Sequence, residues 1–104
     1  MKLLPSLLAG TALALTALSP ALANQELAQK KACLACHGID KKIVGPGFLD
    51  VAKKYKGQKG AEAKLVQKVL KGGGGVWGTQ PMQANPHVNE AEAAQLVKWV
   101  LSLK

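Results

Sequence analysis

Two cysteines three apart with a histidine directly after the second, Cys33-Leu34-Ala35-Cys36-His37, constrain this chain more than any other feature. On a helix, positions i, i+3 and i+4 share one face, so the spacing predicts two sulfurs and an imidazole aimed at one flat object. A c-type haem has that requirement: the thiols bond the two vinyl-derived carbons of the porphyrin and His37 lies under the iron. Other uses of the cysteines fit less well. A dithiol redox pair sits in a βαβ pattern, which is not found here, and a structural zinc site needs four nitrogen or sulfur ligands. The chain has only two Cys and two His, and the second, His87, lies far outside finger spacing. One covalently bound haem c, attached through Cys33 and Cys36, is the expected cofactor.

The first residues point to a compartment. Lys2 precedes a mostly apolar run, Leu3 to Leu18, and Ala21-Leu22-Ala23 has the small-x-small form of a signal-peptidase site. The run is shorter than the roughly 20 residues that span a bilayer, and it ends at Ser19-Pro20. Residues 1–23 are therefore expected to be a secretory signal cleaved after Ala23, with no stable membrane anchor. Residues 24–104 are then expected to form one small domain outside the cytoplasm, a setting that suits covalent haem attachment and a chain with no further Cys. A domain of this size buries a modest core. A porphyrin would supply much of the remainder, so the haem-free chain is expected to fold poorly.

The chain has 14 basic residues, all lysine, against six acidic ones, for a formal charge of +8. The absence of arginine argues against nucleic acid, whose phosphates and base edges are best read by its planar fork. Lysine pairs such as Lys30-Lys31, Lys41-Lys42 and Lys53-Lys54 read as a solvated face that can also dock an acidic redox partner.

Apolar spacing predicts an all-α fold. Gln25 to Ala35 is expected to be a helix that carries the cysteine motif and ends at Gly38, and Ile39 to Gly47, with Gly45-Pro46-Gly47, a loop. Phe48 to Lys56 predicts a short helix with Phe48, Val51, Ala52 and Tyr55 inward, followed by a break between Gly57 and Gly60. Ala61 to Lys71 predicts a third helix, stopped by Gly72 to Gly75. Val76 to Val88 lacks an apolar period and reads as an irregular loop. Asn89 with Glu92 predicts a capped final helix from Glu90 to about Ser102, with Ala93, Leu96, Val97 and Val100 inward and Trp99 and Leu103 flanking.

A sixth iron ligand separates an electron carrier from a catalyst or gas sensor. Met82 is the candidate: it is the only Met of residues 24–104, and it lies between Pro81 and Gln83, outside any helical stripe. A thioether is a soft, weak donor that favours ferrous iron and raises the potential. His87, five residues on, is the rival; imidazole in that position would lower the potential.

Gly45-Pro46, Val76-Trp77-Gly78, Pro81-Met82 with Asn85, and Ala94-x-x-Leu-x-x-Trp99-Val-Leu-Ser together resemble the small class I monohaem bacterial cytochromes c of the c-551 or c-552 type. The resemblance covers nearly all of residues 24–104. It implies about four helices wrapped around one covalent haem, in a monomeric, soluble periplasmic electron shuttle of respiration. It makes His37 and Met82 the axial ligands, has the Pro46 carbonyl accept the His37 imidazole N–H, and has Trp77 donate to a propionate. Asn85 would reach toward the Met82 side, and Lys68, where relatives often have Arg, would meet a propionate as a point charge. Phe48 stands where relatives often have a hydroxylated aromatic, and Pro86-His87 adds one residue before the last helix. The implied partners are a quinol-oxidising complex upstream and a nitrite reductase, terminal oxidase or peroxidase downstream. The alternative is a haem enzyme or gas sensor with an open or labile sixth site, for which the loop offers no distal acid or base besides His87.

Overall fold

Asn89 opens the helix on which the rest of the molecule is assembled. In the computed structural model, which describes Gly10 and residues 19–104, its side-chain oxygen accepts from the Glu92 N–H at 2.8 Å, and its own N–H donates to Glu92 Oε1 at 3.1 Å. Both halves of the capping box are thus present, as the sequence predicts, and they satisfy two helix-end donors that water would otherwise have to serve. The helix, α4, spans Glu90–Ser102. Ala93, Leu96, Val97 and Val100 are buried as expected. Trp99, placed by its spacing at the flank, is buried as well, with 5% of its surface exposed.

Three further helices lie against α4: α1 (Pro20–Lys30), α2 (Phe48–Tyr55) and α3 (Ala61–Lys71). In α2 the residues at i, i+3, i+4 and i+7, namely Phe48, Val51, Ala52 and Tyr55, are all buried, which is one full stripe of a 3.6-residue helix. Helix α3 buries Ala61 and Val66, while Leu65, Val69 and Leu70 pack half-buried against the same cluster. Full burial of a large apolar side chain contributes about 1.5–3 kcal/mol, so Phe48 and Trp99 rank among the largest contributions. The described residues form no strand, only isolated bridges at His37–Lys42 and Gly73–Met82.

The first helix departs from expectation. It runs from Pro20 to Lys30 rather than from Gln25 to Ala35, and Ser19 caps it by accepting from the Leu22 N–H at 3.3 Å. Proline fits the first helical turn because its missing N–H would be unpaired there anyway. At the other end, Lys31 closes the helix and Ala32 takes a left-handed conformation, φ 64°. The cysteine motif follows on a separate 3-10 turn, Cys33–Ala35. No glycine or proline stands at 31 or 32, so local preference does not mark the break; it coincides with long-range bonds that hold Lys31 from the far end of the chain. The expected cleavage position after Ala23 falls inside α1. The apolar run from Leu3 to Leu18 lies outside the described residues, except for Gly10.

Glycine is required where α3 ends. Gly72 has φ 74°, and a Cβ there would come within 2.8 Å of the Ala84 backbone nitrogen. The glycine run thus lets the backbone of the Met82 segment lie directly against the end of the helix.

Asn89→Ala is expected to cost about 1 kcal/mol in chemical denaturation. The carboxyl of Glu92 is held below its ordinary pKa, first by its bond from the Asn89 N–H and then by Lys31. A carboxylate with a lowered folded-state pKa stabilises the fold above its unfolded pKa, and that contribution disappears as pH falls through the folded value. Glu92→Gln should therefore lower stability at neutral pH and flatten the acid limb of a stability-against-pH curve.

Candidate functional site

The turn at Cys33–Ala35 brings the predicted attachment residues together by a route other than an α-helix. In a 3-10 turn, residues i and i+3 eclipse, which stacks Cys33 and Cys36 on one side. The Cys36 and His37 N–H groups both donate to the Cys33 carbonyl, at 3.2 and 3.0 Å, so His37 still sits one turn beyond the first thiol. The two thiols are not joined to each other. Burial pushes the Cys33 thiol above its ordinary pKa, against a lowering backbone hydrogen bond and with a smaller upward effect of Cys36.

The His37 ring is fixed from three directions. Its Nδ1 donates to the Pro46 carbonyl at 2.7 Å. A carbonyl can only accept, so Nδ1 carries the proton and Nε2 is left with a lone pair free to bind a metal. Phe48 stacks on the ring, with centroids 4.9 Å apart and planes 18° from parallel. Gly45 lies so close that a Cβ there would sit 2.6 Å from Cε1 of the imidazole. The loop carrying Gly45 and Pro46 is itself tied to the motif, because the N–H groups of Val44 and Gly45 both donate to the Cys36 carbonyl, at 3.0 and 2.8 Å.

A second group forms at the end of α3. Met82 is half-buried and pairs with Gly73 in both directions: its N–H donates to the Gly73 carbonyl at 2.7 Å, and the Gly73 N–H donates back at 3.0 Å. The Asn85 side-chain amide donates to the Val69 carbonyl at 2.8 Å and to the Gln83 carbonyl at 3.3 Å. Asn85 therefore acts on the backbone next to Met82. Lys68 directs its ammonium to the neighbourhood of Gly73. Trp77 stands apart on the exposed loop, with the Lys54 ammonium 5.5 Å from its ring centroid. His87, the rival ligand, is engaged elsewhere: its Nε2 donates to the Lys31 carbonyl at 2.9 Å.

The donor set suits a haem. Two unpaired thiols on one side of a tight turn can hold the porphyrin, an imidazole with its outer nitrogen free can bind iron, and a loop thioether can supply a soft second ligand. Two participants were not legible from spacing. Phe48 reads as plain core, yet it also backs the imidazole; its place directly after Gly-Pro-Gly was the available signal. Lys31 reads as a surface charge, and nothing local marks its role.

Comparison with known proteins identifies the family. The cytochrome c family model matches residues 21–104. A cytochrome c2 from Rhodocyclus tenuis is 63% identical over 83 residues, covering 75% of this chain and 89% of the relative. A cytochrome c-552 from Hydrogenobacter thermophilus is 52% identical over 82 residues, covering 79% and 83%. The crystal structure of wild-type Nitrosomonas europaea cytochrome c552 superimposes with a TM-score of 0.75 at 42% identity, covering 77% of this chain and 99% of that one. Sequence, helix arrangement and attachment motif converge, and the chain belongs to the cytochrome c family, among its small class I members with a single covalent haem c.

Proposed function

We propose that this protein shuttles single electrons between respiratory complexes in the periplasm, through a haem c whose iron is held by His37 and Met82. Family membership makes it an electron-transfer haem protein, a carrier rather than an enzyme. Bound haem supplies one iron that exchanges an electron between its ferrous and ferric states. The chain's own residues would attach it (Cys33, Cys36), orient and strengthen the imidazole donor (Pro46, Gly45, Phe48) and present the thioether (Met82). Trp77 and Lys68 would pair with the propionates, and Asn85 would keep the backbone beside Met82 in place.

The two-way backbone pairing of Met82 with Gly73 carries this reading. It holds the backbone of the lone methionine of residues 24–104 at a defined place on an otherwise irregular loop. A fixed sixth ligand suits a carrier, since little needs to move when the electron arrives. Export with cleavage after Ala23 belongs to the same reading. No helix among the described residues is long and apolar enough to cross a membrane.

Partner docking would use apolar contact ringed by lysines. Ile43 and Val44 are 49% and 46% exposed on the loop that bonds to Cys36, next to Lys41 and Lys42, and Val76 and Trp77 are exposed near Lys54. Such a surface favours an acidic partner.

Met82→Ala is expected to abolish the sulfur-to-iron absorption in the far red, lower the reduction potential and open the ferrous iron to carbon monoxide. If His87→Ala produced those changes and Met82→Ala did not, the ligand assignment would be wrong. Electron transfer with the physiological partner should slow as salt rises, because attraction between charged surfaces is screened over about 8 Å at physiological ionic strength. Stopped-flow rates that stay flat across ionic strength would make docking chiefly apolar.

A further inference from the structure

Three ties hold the segment from Met82 to Val88, and they do not lead to the same place. Gly73 and Asn85 fasten it to the end of α3. The third tie crosses to the other group of site residues. Asn85 to Val88 is a turn closed by the Val88 N–H donating to the Asn85 carbonyl at 3.1 Å. Pro86 presets the second residue of that turn, so little further ordering is needed to present His87. From there His87 Nε2 donates to the Lys31 carbonyl at 2.9 Å, while Lys31 Nζ donates back to the His87 carbonyl at 3.1 Å. Lys31 Nζ also lies 3.2 Å from Glu92 Oε2, which anchors the pair to the first turn of α4.

This reciprocal pair joins residues 56 apart. Lys31 precedes left-handed Ala32 by one residue and Cys33 by two. Among the described residues, it is the one hydrogen-bonded link between the Met82 segment and the turn that carries Cys33, Cys36 and His37. Because a carbonyl only accepts, the His87 ring keeps a proton on Nε2 in this contact, and that nitrogen has no lone pair to offer a metal.

We propose that His87 is a positioning residue for the axial thioether: by clamping the Met82 segment to the haem-attachment turn, it limits how readily the sulfur leaves the iron. The proposal rests on Met82 being the distal ligand. Breaking the clamp leaves the two ties to α3 intact, so Met82 stays bound at rest. What changes is the frequency with which the segment swings away and admits another ligand.

The test uses ferric holoprotein and measures the rate at which added imidazole removes the far-red absorption, beside global stability in denaturant. His87→Ala should keep that absorption in the absence of imidazole but lose it roughly fivefold faster on addition, the scale of one lost hydrogen bond. His87→Gln, whose amide N–H reaches nearly as far, should recover most of the original rate. Val51→Ala weakens the core at α2 without touching the clamp, and it should leave the imidazole rate unchanged. Should His87→Ala yield no holoprotein, Lys31→Met removes the return bond and should also speed displacement. A wild-type rate in His87→Ala, or an equal acceleration in Val51→Ala, overturns the positioning role. Persistence of the far-red absorption in Met82→Ala would instead overturn the ligation beneath it, whatever the His87 variants do.

Discussion

Ala93, Leu96, Val97, Trp99 and Val100 spread over roughly 160° of α4, too wide a face for one neighbouring helix to cover. That demand draws α1, α2 and α3 around a single helix and sets where the loops between them emerge. Trp99 carries the effect toward the site. Phe48 meets it edge to face, with centroids 5.6 Å apart and planes at 76°, and Phe48 in turn stacks on His37. The imidazole is therefore referenced to the core through two aromatic contacts, and its orientation depends on the packing of α2 against α4.

Around the imidazole, backbone rather than side chain does the tuning. The Pro46 carbonyl selects the tautomer and draws on the Nδ1 proton, which makes Nε2 a stronger donor. Proline contributes a rigid φ at that point, and Gly45 removes the one Cβ that would press on the ring. The Met82 side also uses main chain, through the paired groups of Met82 and Gly73 and through the Val69 carbonyl, which accepts from both the backbone and the side-chain amide of Asn85. These backbone contacts depend on the glycines and prolines that permit the close approach.

Local chemistry made most of the fold legible. Helices α2, α3 and α4 stand where apolar spacing, the glycine run and the Asn89-Glu92 cap put them, because each boundary is written in adjacent residues. The first helix starts and ends away from where its spacing predicts, for two physical reasons. Ser19-Pro20 reads as a stop after an apolar run, yet the same pair makes a good helix start. At Ala32 the break coincides with bonds that reach the adjacent Lys31 from His87, which no window of neighbouring residues contains. The site shows the same division. Cys33, Cys36 and His37 declare themselves by spacing, and the Pro46 contact came only through resemblance. The Lys31–His87 clamp was invisible, being a contact between two unremarkable surface residues.

The helices at the two ends of the fold lie side by side: Gln95 Nε2 on α4 donates to Asn24 Oδ1 on α1 at 2.7 Å, across 71 residues of sequence. The entropy of closing a loop grows only with the logarithm of its length, so doubling the loop adds about 0.6 kcal/mol. Between those ends, the stretches from Lys56 to Gly60 and from Gly74 to Pro81 run exposed over the surface. Insertions or deletions there cost little so long as α1 still reaches α4. The architecture thus leaves room for variation in loop length without redesign of the helices.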